Sequence, residues 1–275
     1  MEIMMCYPTM ETLYTRDIKS DSGIYVLMQK AGDVVVHLLY SFVLFGLAAC
    51  IPSPATEVPI PSISTADAET SNRTLIVMLP GIGDRVDTFQ TRGFLETEDD
   101  WGFDALAVDG HFGYYRDQSI VIRLHEDIIV PAKANGYRDI WLLGVSMGGF
   151  GSLLYAEQHP QDISGVILLA PFLGELEIAE EIAAAGGLHS WPGNDAVGLK
   201  AFETAIWLWL KEATAKPGGT PVILGFGQSD HLVKGYGPLI EALAPSRVYS
   251  MDGGHKWTTW IPLWARIAAD FKQFE

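Results

Sequence analysis

The chain has 275 residues, 48% of them hydrophobic, with 28 Gly and 15 Pro, which suits one α/β domain with a sizeable core plus an appendage. A formal net charge of −16 argues against nucleic acid as a partner and against electrostatic adsorption to an anionic membrane. Its two cysteines, Cys6 and Cys50, both lie near the N-terminus, so the main domain has neither a disulfide framework nor a Cys-rich zinc arrangement.

Residues 34–49 form an apolar segment ending in Leu47-Ala48-Ala49 before Cys50. It falls short of the roughly 20 apolar residues of a membrane-spanning helix and has the length of a signal-peptide core. The run Leu47-Ala48-Ala49-Cys50 resembles the lipobox of bacterial lipoprotein signal peptides. That resemblance implies a lipidated Cys50 as first residue of the mature protein, anchored extracytoplasmically at the outer membrane or periplasmic face. Translation starting at Met28 gives this segment a short basic leader, Met28-Gln29-Lys30, and makes residues 1–27 no part of the product. Residues 1–49 are thus read as a leader. Residues 50–72, rich in Pro, Ser, Thr and Ala, are read as an extended tether, and residues 73–275 as the folded domain.

Within the domain, 74–79 is a continuous apolar strand of the kind found in a parallel sheet covered on both faces. It stops at Pro80-Gly81-Ile82-Gly83-Asp84, where Asp84 is placed to cap a helix. Residues 103–108 make a second strand, ending at Asp109-Gly110-His111, with Asp109 read as a turn residue. Residues 119–134 carry apolar positions at helical spacing, with Pro131 expected to kink or shorten the helix. Strand 140–143 enters Gly144-Val145-Ser146-Met147-Gly148, and a helical pattern over 151–159 leaves it, ended by Pro160. Strand 163–170 follows. Residues 172–219 then interrupt the alternation with helices over 176–185 and 200–211. Strand 221–226, a short helix over 239–243, strand 247–251 and a closing helix over 257–274 complete the chain, with Pro262 suggesting a later start to that last helix. Strands alternating with helices predict a mostly parallel sheet with right-handed crossovers.

The pentapeptide carries the chemistry. Strand, sharp turn and helix are the context that gives Gly-x-Ser-x-Gly meaning. Gly144 and Gly148 leave room for a strained elbow, and the positive end of the next helix favours a developing negative charge. An alcohol is a poor nucleophile near neutral pH, so Ser146 needs a base, and the base needs an orienting acceptor. Loops at the carboxyl ends of parallel strands share one edge. Ser146, Asp230 and His255 all sit just after predicted strands, with Asp252 an alternative acid and His231 and His111 competing bases. No His-Glu-x-x-His motif or clustered acidic site occurs, so neither metal nor cofactor is expected.

In the order Ser146, Asp230, His255, residues 73–275 resemble the α/β-hydrolase superfamily. The resemblance implies that superfamily's fold, with a small helical cap over about 172–219, and a serine esterase acting through an acyl-enzyme on a small-molecule ester. By position, Ser146 corresponds to the nucleophile, His255 to the general base and acid, and Asp230 to the orienting carboxylate. The N–H groups of Met147 and Ile82 correspond to the oxyanion hole, although Pro80 stands where many members have His. Trp191 and Trp257 are candidate pocket walls. Thioester, amide and acyl-transfer chemistry use the same machinery, and a catalytically silent binding protein on this fold is the alternative from another class.

Overall fold

A computed structural model describes residues 54–65, 73–96, 102–215 and 218–274, all within one compact unit, Ser53–Glu275. The apolar segment 34–49, Cys6 and Cys50 lie outside the described residues. Among the described residues no helix is long and apolar enough to cross a membrane.

Seven strands form one sheet in the order β1-β3-β2-β4-β5-β6-β7. These are β1 Ser62–Ser64, β2 Thr74–Leu79, β3 Phe103–Val108, β4 Asp139–Val145, β5 Gly165–Leu169, β6 Val222–Gly227 and β7 Val248–Met251. All pairings are parallel except that of β1 with β3. Alternation along β2 explains its unbroken apolar run. Leu75, Val77 and Leu79 join a core with Leu153, Leu154 and Tyr155. Ile76 and Met78 point the other way, into a second core with Phe89, Phe94, Trp260 and Trp264. Each such buried side chain contributes roughly 1.5–3 kcal/mol of transfer free energy, so both faces of the strand are bound to the domain.

The helices follow the strands. They are α1 Val86–Thr91, α2 Phe112–Arg116, α3 Ile120–Arg123, α4 Val130–Ala134, α5 Met147–Gln158, α6 Leu176–Ala184, α7 Leu199–Ala215, α8 Gly237–Ala242 and α9 Trp257–Ala269. With β2 to β7, they give the chain an α/β-hydrolase fold. Helix α7 packs on α5 and buries Trp207 and Leu210 in the first core. The segment 172–219 therefore contributes a core helix to the domain.

Three expectations change. Residues 54–65 do not hang free as a tether. Ile60 is buried, β1 extends the sheet at its edge, the Ile60 N–H donates to Asp127 (2.9 Å), and Tyr114 both donates to and accepts from the Glu57 backbone. The helix around Pro131 widens where a kink or shortening was expected. A π turn over Leu124–Ile129 joins α3 to α4 and leaves Pro131 in the first turn of α4, where the wider turn accommodates the missing N–H and relieves the crowding a proline causes. Helix α9 starts at Trp257 with Pro262 inside it. Burial of Trp260, Leu263, Trp264 and Ile267 on one face offsets the roughly 3 kcal/mol that an interior proline costs.

Candidate active site

Strand β4 leads straight into α5 through Ser146, whose φ of 53° and ψ of −114° lie in a region that costs a non-glycine residue on the order of 1–3 kcal/mol. Neighbouring backbone fixes it there. The Ser146 N–H donates to Leu169 (3.0 Å), and its carbonyl accepts from Gly149 (3.0 Å) and Phe172 (2.9 Å). The flanking glycines are sterically required. A Cβ on Gly144 would overlap the Gly148 carbonyl, and one on Gly148 would overlap the carbonyl oxygen of Leu79. Tyr115 braces the turn from behind by donating to the Met147 carbonyl (3.1 Å).

The loops after β6 and β7 bring Asp230 and His255 to this turn. His255 Nε2 lies 2.9 Å from Ser146 Oγ, and its Nδ1 lies 2.8 Å from Asp230 Oδ2. Asp230 is buried, 2% exposed, and its other oxygen accepts the Leu232 N–H (2.8 Å). The His255 ring stands edge-on to Trp260 (4.9 Å) and to His231 (4.7 Å). Asp252 is exposed, and the acid bonded to His255 is Asp230. His231 is largely exposed, with its Nδ1 3.6 Å from Asp230 Oδ1, beyond a hydrogen bond. His111 is buried and caps α2 by accepting the Gly113 N–H (3.1 Å), and burial lowers its pKa. His111 is thus a structural residue.

The two backbone groups expected to form an oxyanion hole lie on α5 and on the 80–84 loop. Met147 is the first residue of α5, so its N–H has no intrahelical acceptor. The 80–84 loop passes against the serine, since a Cβ on Gly81 would sit 3.4 Å from Ser146 Cβ. Ile82 follows, its side chain about half exposed. Asp84 does not cap α1, because the N-cap residue is Arg85. Asp84 instead turns toward the site. Its Oδ2 would lie 3.4 Å from that same Gly81 Cβ, burial raises its pKa, and the Trp257 side chain is its hydrogen-bond partner. Asp109 is more than a turn residue. It receives Arg85 Nε (2.7 Å) and the Val86 N–H (3.0 Å). Burial pushes its pKa up, but these bonds outweigh it and the net shift is downward. Asp109 thereby ties the loop to the end of β3.

The two candidate pocket tryptophans separate. Trp191 is 1% exposed, its indole N–H donates to Glu181 (2.8 Å), and its carbonyl accepts Lys211 Nζ (2.6 Å). It packs inside the segment and is not in the lining of the cavity next to the Asp230 loop. Trp257 packs edge-on against Phe94 (5.3 Å) and Trp260 (5.2 Å) while also bonding Asp84, so it helps build the loop's wall. Against the loop that follows Asp230 lies a cavity of about 90 Å³ with Leu173, Leu176, Trp207 and Tyr236 as apolar lining and His231 and Lys234 at its polar edge; Ser146, Asp230 and His255 are not part of its lining. Trp207 is one of the aromatics of the segment expected to cap the site and shape its pocket, whereas nothing in the sequence marks Tyr236 as a wall residue. Metal-ligating residues also come together without any sequence motif. Asp230, His231 and His255 form one group, and His125, His159 and Asp162 another, each with donor atoms within 4.8 Å of one another.

Residues 70–216 match the hydrolase family described as serine aminopeptidase, S33. No curated protein matches the chain significantly in sequence. Among solved structures, Est1E of Butyrivibrio proteoclasticus is similar, with a TM-score of 0.53 at 16% identity over 78% of this chain and 93% of its own. A CIB-like hydrolase of Thermoplasma acidophilum gives 0.51 at 20% identity over 78% and 92%. The S-formylglutathione hydrolase FrmB of Staphylococcus aureus gives 0.50 at 14% identity over 78% and 97%. These likenesses share the fold with the chain.

Proposed function

This chain belongs to the serine aminopeptidase S33 family of hydrolases, and we propose that it cleaves carboxylic esters through an acyl-enzyme. The observation that carries the reading is the pair of His255 hydrogen bonds, 2.9 Å to Ser146 Oγ and 2.8 Å to Asp230 Oδ2. Ser146 Oγ attacks the ester carbonyl while His255 Nε2 takes its proton. Asp230 holds the imidazole in the tautomer with Nε2 free to accept, and stabilises the imidazolium. The N–H groups of Met147 and Ile82 receive the oxyanion, each such donor being worth about 3–4 kcal/mol. His255 then returns the proton to the leaving alcohol. A water repeats the cycle, giving up its proton to His255 as it attacks the acyl carbon, so that acid leaves and Ser146 is restored. The apolar cavity against the loop that follows Asp230 receives one arm of the ester.

Esters come first because one solved structure that shares this fold is described as a ferulic acid esterase. The family's description favours a second reading, release of N-terminal residues from peptides, on the same groups. A panel of p-nitrophenyl esters against aminoacyl p-nitroanilides separates them; turnover of the anilides alone would replace the ester reading. A fluorophosphonate probe tests the serine chemistry itself. Labelling should occur in the wild type and vanish in Ser146→Ala, whereas a folded wild type that takes no label would mark a silent binding protein. Cys50 completes the proposal as a lipid attachment point that holds the domain at a bacterial membrane facing away from the cytoplasm. Cys50→Ser should release the protein into the soluble fraction, and unchanged membrane retention would reject the anchor.

A further inference from the structure

The far end of α5 holds the second group of ligating side chains, about 18 Å from Ser146 at the helical rise of about 1.5 Å per residue. His125 comes from the π turn, Tyr155 and His159 from the last turn of α5 and its cap, and Asp162 from the 3₁₀ turn Pro160–Asp162. Their donor atoms converge. His125 Nδ1 lies 3.4 Å from Asp162 Oδ2, and His159 Nδ1 lies 3.8 Å from the same oxygen. Tyr155 Oη is 3.1 Å from both His125 Nδ1 and Asp162 Oδ2. Metal–ligand distances of about 2.0–2.1 Å put the corners of a zinc tetrahedron about 3.3–3.4 Å apart, and the two histidine contacts to Asp162 Oδ2, 3.4 and 3.8 Å, lie at and just above that value. The 3.8 Å edge is too long for a hydrogen bond, so the His159 nitrogen faces the carboxylate without being spent on it. The π turn that presents His125 is itself a rare conformation, frequent at functional sites.

We propose that His125, His159 and Asp162, with water at the fourth corner and the Tyr155 hydroxyl hydrogen-bonded to the carboxylate, form a binding site for a divalent transition-metal ion of the zinc class, which clips the π turn to the end of the nucleophile-bearing helix. Two imidazoles and a carboxylate are a donor set suited to such ions and poor for calcium or magnesium. Lys133 already holds the carboxylate through its other oxygen, Oδ1, at 2.7 Å. That leaves Oδ2 for the ion but sets an ammonium against it, so Lys133 competes. The two histidine rings are stacked, 4.3 Å apart and 11° from parallel. An ion in the plane of one therefore requires the other to turn, and His159, at the half-buried helix end, is the ring placed to do so. The clip would stabilise the folded state by mass action in proportion to occupancy.

Cobalt(II) is the probe, titrated into full-length protein carrying His255→Ala, so that the group at Asp230 is broken. The expected result is one equivalent of cobalt with the intense visible absorption of a four-coordinate site, displaced by zinc. His159→Gln should weaken binding by roughly tenfold or more, and Lys133→Ala should tighten it several-fold, as loss of a nearby like charge predicts. Circular dichroism checks that each variant is folded. No stoichiometric uptake by the folded His255→Ala protein overturns the site. So does unchanged affinity in His159→Gln, or a Lys133→Ala variant that binds no tighter.

Discussion

Replacing Asp230 by Asn tests the site where it is most specific. The amide oxygen can still accept the Leu232 N–H now bound at 2.8 Å, so the loop after β6 keeps its shape. The amide nitrogen then faces His255 Nδ1, where the carboxylate oxygen sits at 2.8 Å. A donor there forces the imidazole proton onto Nε2, which points at Ser146 Oγ across 2.9 Å. The base can no longer accept the serine proton. The wrong tautomer is worth about 10⁴ in kcat when Asn replaces this carboxylate in a serine hydrolase, or about 5.5 kcal/mol of transition-state stabilisation. Asp252→Asn, at an exposed position, should change stability by less than about 0.5 kcal/mol and leave turnover near wild type. Both variants would be assayed on a p-nitrophenyl ester and by the rate of fluorophosphonate labelling, with thermal melts to confirm folding. An Asp230→Asn enzyme within tenfold of wild type would refute the tautomer argument. A comparable loss in Asp252→Asn would move the acid to that residue.

Three further outcomes follow from the same geometry. Gly148→Ala places a methyl on the Leu79 carbonyl oxygen and should cost about 1–3 kcal/mol or more, seen as a lower denaturant midpoint together with lost labelling of Ser146. Asp109→Asn weakens the tie to Arg85 and should cost about 1–2 kcal/mol near neutral pH, allowing for a half-exposed Arg85. The folded-state pKa of Asp109 is lowered, so its contribution is present above the unfolded carboxylate value of about 3.9 and is lost as pH falls below it through the folded pKa. Urea melts of wild type and variant should therefore converge in strong acid, and a gap that stayed constant would reject the charge contribution. Trp207→Ala should raise KM for esters with a bulky apolar arm, whereas Trp191→Phe should lower stability with KM unchanged; the reverse pattern would exchange the two assignments.

What the sequence revealed depended on whether the information was local. Five of the six parallel strands were legible because a strand buried on both faces is a nearly uninterrupted apolar run, as 74–79 is. Ser146 was legible because its constraint is steric and adjacent, with glycines two positions away on either side. Short β1, in Ser62–Ser64, has no such run, and its polar residues read as tether because its partner β3 lies about 40 residues further on. Trp191 and Trp207 cannot be told apart by composition, since each is an aromatic in the same segment. What separates them is a carboxylate 10 residues before one, Glu181, and the carbonyl of Leu173 before the other. Asp84 and Trp257 meet across 173 residues, and no periodicity announces that meeting. The histidine group at the end of α5 was hidden for another reason, because a π turn shifts the helical register that a 3.6-residue pattern assumes.

The strain at Ser146 follows from the order in which the sheet is built. Strands β2, β4 and β5 are in register through Leu79 with Gly144 and Val145 with Leu169, so three strand ends stop at one level. Beyond that level the Ser146 N–H can still reach Leu169, which extends the ladder by one bond, while its carbonyl has already turned to serve Gly149 and Phe172. One residue thus finishes a strand and starts a helix, and it can do both only with a positive φ. A glycine would take that conformation at no steric cost, yet a glycine has no Oγ. The chain instead places glycine at 144 and 148, where the neighbours of the strained residue need the space, and keeps the side chain at the point where His255 and the N-terminus of α5 converge. On this argument Ser146→Gly should be more stable than Ser146→Ala, by about 1 kcal/mol or more of relieved strain, though both lose the nucleophile. Equal stability of the two in a chemical melt would mean that the elbow stores no strain.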